Sequence, residues 1–220
     1  MPFPVKEKSI NMKSLLTLSL FCILISACTH DTVSPTLEVD QELASNYTHM
    51  EVGNFWVYDW YEIDPEGNSA FYSRDTLLVT GSVKVDGHTA MELTGQRLGL
   101  DFDVILFDSA QSVYTYPDRF LYFTLDSTTH HGVIGPSDSP LFTTFYYLEK
   151  EPMEVTVPAG TFECLNFQGK YVPQNKNYPY STRYNDNLFA YKIGMVKMTT
   201  SYANSPNTLE GRLIAYGMIN

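Results

Sequence analysis

The chain is short of the features that would place it in several large functional classes. It has three cysteines in 220 residues. Cys22 lies in an apolar leader and Cys28 directly after it, so Cys164 stands alone and no disulfide framework can staple the body. Basic charge is scarce: 14 Lys and Arg face 25 Asp and Glu, for a net charge of −11. Residues 1–27 contain Lys6, Lys8, Lys13 and Glu7, so the remainder carries −13. Such a body repels phosphate backbones, which argues against a nucleic-acid partner. Long apolar runs are missing too: Leu15–Ile25 is about half of what a bilayer-spanning helix needs. There is no Gly-x-Ser-x-Gly elbow, no His-Glu-x-x-His pair and no phosphate-cradling glycine loop. The usual grounds for proposing an enzyme, a cofactor or a resident metal are therefore absent. No internal repeat is visible, and no segment holds a helical period over eleven residues, except weakly near residues 28–50.

What the chain does have begins with a leader. Met12-Lys13 and the apolar run Leu15–Ile25 form the charged and hydrophobic regions of a secretory signal, with Met12 an alternative start. The run ends in Leu24-Ile25-Ser26-Ala27-Cys28. This stretch resembles the lipobox of bacterial lipoprotein signals. The resemblance implies removal of residues 1–27, a diacylglycerol thioether on Cys28, and usually an acylated (palmitate-type) amino group. The partner it implies is a membrane, and the place is the cell envelope, with the outer membrane of a Gram-negative bacterium expected. The rival is an ordinary signal cut at Ser26 and Ala27. Residues 28–50 are polar and read as a flexible tether spanning roughly 25 Å. Packing of Leu37–Tyr47 as a strand or short helix is the alternative.

Residues 51–220 read as one all-β domain. The composition is 44% hydrophobic with 14% aromatic, enough for a real core. Phe55–Ile63 alternates, with Trp56, Tyr58 and Trp60 on one face. Asp64-Pro65-Glu66-Gly67-Asn68 is a turn, Ala70–Val85 a long strand bent near Gly81, and Asp86-Gly87 a type I′ hairpin turn. Strands are expected at 102–107, 112–116, 120–125, 141–148 and 154–157. Pro158-Ala159-Gly160 then reads as a three-residue hairpin loop before a strand at 161–172. Loops are expected at 126–140 and 173–187, and two last strands at 189–202 and 209–219. Strands apolar on both faces, like Phe55–Tyr61, require a sheet that is covered twice or curls around an interior.

Gly53-Asn54-Phe55-Trp56-Val57-Tyr58, Val155-Thr156-Val157-Pro158-Ala159-Gly160-Thr161-Phe162 and Ala190-Tyr191-Lys192-Ile193-Gly194-Met195-Val196-Lys197, with the closing strand Leu213–Ile219, resemble a group of secreted bacterial proteins and lipoproteins. The resemblance spans residues 51–220. It implies a strongly curved antiparallel sheet similar to the half-barrel of the envelope's lipoprotein carriers, and it brings over no functional residue. A lipocalin-like barrel is the rival, but two residues separate Gly53 from Trp56, so the lipocalin Gly-x-Trp is absent.

Candidate sites follow from side-chain chemistry. Trp56, Tyr58, Trp60 and Tyr146, with Phe145 and Tyr147, are suited to line an apolar cavity or to form core. Tyr178 and Tyr180, with Tyr171 and Tyr184 beside them, sit in or near a long loop and could stack on sugar rings or meet an envelope protein. His130-His131 is the one histidine pair, but neighbours on an extended chain point apart. Asp101 and Asp103 share a strand face, with Asp108 beyond; facing each other across a cleft they would suit glycoside hydrolysis. Asp64–Asn68 lacks the oxygen-ligand spacing of a calcium loop. The expectation is a membrane-anchored, non-catalytic binding or structural module holding an apolar ligand or partner segment. A glycan-binding module using residues 173–187 is the alternative, and a hydrolase the least favoured.

Overall fold

The computed structural model describes residues 43–134, 140–175 and 178–219. The expected lipobox, with Cys28, lies outside the described residues. Among the described residues a five-residue helix, α1 (Ala44–Thr48), precedes thirteen strands. They are β1 (Phe55–Ile63), β2 (Ser69–Val85), β3 (His88–Arg97), β4 (Leu100–Ser109), β5 (Ser112–Tyr116), β6 (Leu121–Thr124), β7 (His130–Ile134), β8 (Phe142–Val157), β9 (Gly160–Pro173), β10 (Arg183–Asn185), β11 (Asn187–Ala190), β12 (Gly194–Ser201) and β13 (Thr208–Gly217). All the ladders are antiparallel. The fold is the expected all-β one: a single curved, open sheet rather than a closed lipocalin-type barrel.

The strand order explains the curl. It runs β6-β5-β4-β3-β2-β1-β13-β12-β11-β9-β8-β7, with β10 pairing β9 off this path. Two meanders thus meet where β1 pairs with β13, from Phe55↔Gly217 to Ile63↔Thr208. The strands at the two ends, β6 and β7, are consecutive in sequence. Were the sheet flat, its twelve strands on this path would hold those ends about 53 Å apart, at about 4.8 Å per neighbour. The segment from Thr124 to His130 reaches at most about 22 Å. The sheet must therefore roll up until its ends approach across an open seam. Bulges help it bend: registers shift at Val57/Tyr58 and Trp60/Tyr61 in β1, and at Val79/Gly81 in β2.

Aromatics fill the hollow. Phe123 on β6 is fully buried, and its ring centroid lies 4.5 Å from Phe189 on β11 and 6.1 Å from Phe167 on β9. It also meets Tyr47 of α1 at 5.4 Å. These contacts join opposite walls. The helix plugs one end: Ala44 N–H donates to Ala110 in the β4–β5 turn, and Asn46 C=O accepts from Lys192 in the β11–β12 turn. Ala44, Tyr47 and Thr48 are buried. Of the residues 28–50 expected to be a tether, 44–48 are instead helical and packed, because Ala44 and Tyr47 supply apolar surface that the open end must cover.

Local chemistry set the hairpins. Asp86 and Gly87 have φ of 51° and 83°, the pair of positive values a type I′ turn demands. Five expectations change. Residues 126–140 contain β7, and residues 173–187 contain β10; both are held by pairing with β8 and β9 rather than by propensity. The strands expected at 141–148 and 154–157 are one strand, β8, with a register shift between Glu149 and Met153. The strand expected at 189–202 is the hairpin β11–β12. Val157 pairs directly with Gly160, so the Pro158-Ala159 turn has two residues, not three. Along β8 the stretch Glu149-Lys150-Glu151-Pro152-Met153-Glu154 lacks a β7 partner, and charge, proline and bulge discourage foreign pairing there.

Candidate functional site

The three aromatics of β1 point into the curl and are core. Trp56, Tyr58 and Trp60 are 2%, 2% and 1% exposed. Trp56 Nε1 donates to the Ile193 carbonyl at 2.6 Å, and Tyr58 Oη to the Met195 carbonyl at 2.7 Å, which ties β1 across β13 to the start of β12. Burial pushes the Tyr58 hydroxyl well above its usual pKa, with Tyr122 adding to it. Trp60 Nε1 and Ser73 Oγ, on facing residues of β1 and β2, are buried without a partner. With Phe123, Phe167 and Phe189 interlocked beneath them, these rings pack against the protein's own side chains. Tyr146 lies partly buried against Phe167, its hydroxyl 2.9 Å from that of Tyr171. Burial, then the neighbouring Tyr171, raises its pKa.

The candidate acids and histidines form no shared site among the described residues. Asp101 and Asp103 are exposed on β4, opposite Gln96 and Thr94, with no facing carboxylate across a cleft. The Asp64 carboxylate accepts from the Asn68 backbone and side-chain N–H groups at 2.8 and 2.9 Å, and the side-chain bond leads in holding its pKa down. His131 packs edge-on against Phe145 at 4.9 Å, whereas His130 buries an unpartnered Nε2. No cluster of three metal-ligating side chains occurs among the described residues.

Sequence reasoning missed a polar cluster on β8, β9 and the β10–β11 junction. Asn166 Nδ2 donates to Glu149 Oε2 and to Asp186 Oδ1, each at 2.9 Å, and Gln168 Nε2 donates to Asp186 Oδ1 at 2.8 Å. The Tyr147 hydroxyl donates to Gln168 Oε1. Here carboxylates are spent as acceptors for amides, which fastens β9 to the β10–β11 junction.

The clefts lie on the rim. One of about 630 Å³ at the helix end is bordered by His49, Met50, Glu51, Lys192 and Ile219. At the opposite end, the Tyr178–Arg183 segment folds against the β12–β13 turn. Tyr178 Oη donates to the Ala203 carbonyl at 2.6 Å, and Tyr180 Oη to the Asn204 carbonyl at 3.2 Å. The two rings stand 75° apart, so they do not form a flat platform. Arg183 locks the same turn: Nη1 donates to the Tyr202 carbonyl at 2.8 Å and Nη2 to the Ser205 carbonyl at 2.6 Å. Its guanidinium lies 4.5 Å from the Tyr180 ring centre, a cation–π distance. A cleft of about 440 Å³ opens between Tyr180, Arg183, Tyr184, Ser181, Ser201 and Thr208. Arg183 also borders a second pocket of about 250 Å³, with Phe142 and Tyr171 on its wall. Of this group the sequence pointed to Tyr178, Tyr180 and Tyr184. The one available signal for Arg183 was a cation set among those tyrosines.

No protein-family profile and no curated protein matches the chain. Two solved structures are similar to it. One is a presumed lipoprotein from Parabacteroides distasonis, 13% identical, with a TM-score of 0.47 over 80% of this chain and 100% of that one. The other is a presumed exported protein with a YmcC-like fold from Bacteroides fragilis, 11% identical, with a TM-score of 0.46 and the same coverage.

Proposed function

We propose that this chain is a lipid-anchored, non-catalytic binding or structural module of the bacterial cell envelope, attached through Cys28 to the outer membrane of a Gram-negative cell. The observation that carries the reading is the Leu24–Cys28 motif, which precedes in sequence a folded domain whose first described element is α1. Acyl chains contribute roughly 0.8 kcal/mol per buried methylene, so two or more make attachment lasting. Because the hollow is filled by Phe123, Phe167 and Phe189, any ligand or partner is met at the rim rather than inside the curl. A second reading, a glycan-binding surface, is favoured by the cleft between Tyr180, Arg183 and Tyr184.

The anchor is tested by expressing the full chain in a Gram-negative host and taking the intact mass of the membrane-extracted product. The expected species starts at Cys28 and carries diacylglycerol and amide-linked acyl mass. Cys28→Ser is expected to lose that mass. A mature product without acyl chains, recovered in the soluble fraction, overturns the proposal.

A further inference from the structure

Arg183 is a cation held in place without being neutralised. Arg74, Arg119, Lys197 and Arg212 each have a carboxylate within 4.0 Å, but Arg183 has none among the described residues. Two of its five N–H groups are spent on the Tyr202 and Ser205 carbonyls, and its Cζ lies over the Tyr180 ring. Glu62, an acid that reaches this turn, accepts instead from Asn207 Nδ2 at 2.6 Å. In a body that otherwise repels anions, a fixed and half-buried guanidinium is a local anion seat. One cation balances one negative charge, which suits a carboxylate better than a dianionic phosphate.

The rest of the cleft suits a polyhydroxylated ring. Its volume, about 440 Å³, is that of a small-molecule site. Ser181, Ser201 and Thr208 line it with hydroxyls. Ser201 Oγ donates to Asn185 Oδ1 at 2.9 Å, which leaves its lone pairs to accept from a ligand hydroxyl. Tyr184 is 50% exposed and offers an apolar ring face beside them. We propose that this cleft binds a carboxylated sugar, with Arg183 taking the carboxylate and the Tyr184 ring and the hydroxyls taking the pyranose. The inference rests on reading the chain as a binding module and deepens its glycan arm. It is independent of the anchor.

The test uses the full acylated protein in detergent and calorimetric titration with four probes: tri-galacturonate, its fully methyl-esterified form, sialyl-lactose and lactose. At least one of the acidic saccharides is expected to bind, and at least tenfold more tightly than its neutral counterpart; which one does tells a hexuronate from a nonulosonate ligand. Arg183→Gln should lose at least tenfold for the acid and little for the neutral sugar, with Arg183→Lys between. Should Arg183→Gln loosen the 202–206 turn, seen as a lowered Tm, the wild-type comparison of acid with neutral sugar carries the test alone, since a purely structural arginine would not discriminate between them. Equal affinity for acid and neutral forms, or silence toward all four probes, overturns the proposal. Intact mass and membrane partition of the same sample report separately whether the anchored-module reading stands.

Discussion

Phe123→Ala is the sharpest probe of how the open sheet is held shut. Phe123 is 0% exposed and sits on β6, a four-residue strand that pairs, among the described residues, with β5 alone. The short β6–β7 connection brings that end inward, and the ring's contacts with Phe167, Phe189 and Tyr47 on three other elements help to hold it there. Truncating a buried phenylalanine costs about 3–5 kcal/mol in lost transfer energy and residual cavity. For a domain of this size, each kcal/mol lowers Tm by about 2–4 °C, so the expected drop is about 6–20 °C. Urea unfolding followed by tryptophan fluorescence measures the loss, because Trp56 and Trp60 lie in the same core. Phe120→Ala is the control, since that ring is 69% exposed and should cost no more than about 0.5 kcal/mol. A double-mutant cycle of Phe123 with Phe189 should show a coupling of about 0.5–1.5 kcal/mol. If Phe123→Ala costs no more than the Phe120 control, ring packing across the seam is not what closes the sheet.

Three further outcomes are expected. Gly194 has φ of +102°, and an added Cβ would lie 2.8 Å from Trp56 Nε1. Gly194→Ala should therefore cost about 1–3 kcal/mol through strain and displacement of that indole, read as a lowered Tm. Burial acts to raise the Glu210 pKa, but hydrogen bonds from Lys197 and Arg212 outweigh it and leave it below its usual 4.5. Its stabilising contribution is thus complete above that value and is lost as pH falls through the lower folded pKa. Glu210→Gln should accordingly be less stable than wild type at neutral pH, with the gap closing in acid, as urea midpoints across a pH series would show. Burial, with the charge of Glu163 adding to it, pushes the Cys164 thiol up to about 12. A disulfide reagent at pH 8 should leave folded Cys164 unlabelled and react with it only in denaturant; prompt labelling of the native protein would contradict the burial.

The alternation of Phe55–Ile63, the Asp86-Gly87 turn and the bend near Gly81 were legible in the sequence because side-chain direction and turn geometry are properties of a few consecutive residues. So was the requirement that a sheet apolar on both faces be covered or curled. Which face of Asp101 and Asp103 met solvent, that His130 joins an edge strand, and that Arg183 sits on Tyr180 were not legible. Each depends on pairing between distant segments, such as β1 with β13 or β10 with β9, whose ladders are chosen by the whole chain's burial rather than by local propensity. The lipobox resemblance of Leu24–Cys28 belongs wholly to the sequence, being a linear pattern. The filled hollow belongs wholly to the tertiary structure: only the short crossing from β6 to β7 brings Phe123 against Phe167 and Phe189 and turns a row of aromatics into a core instead of a pocket.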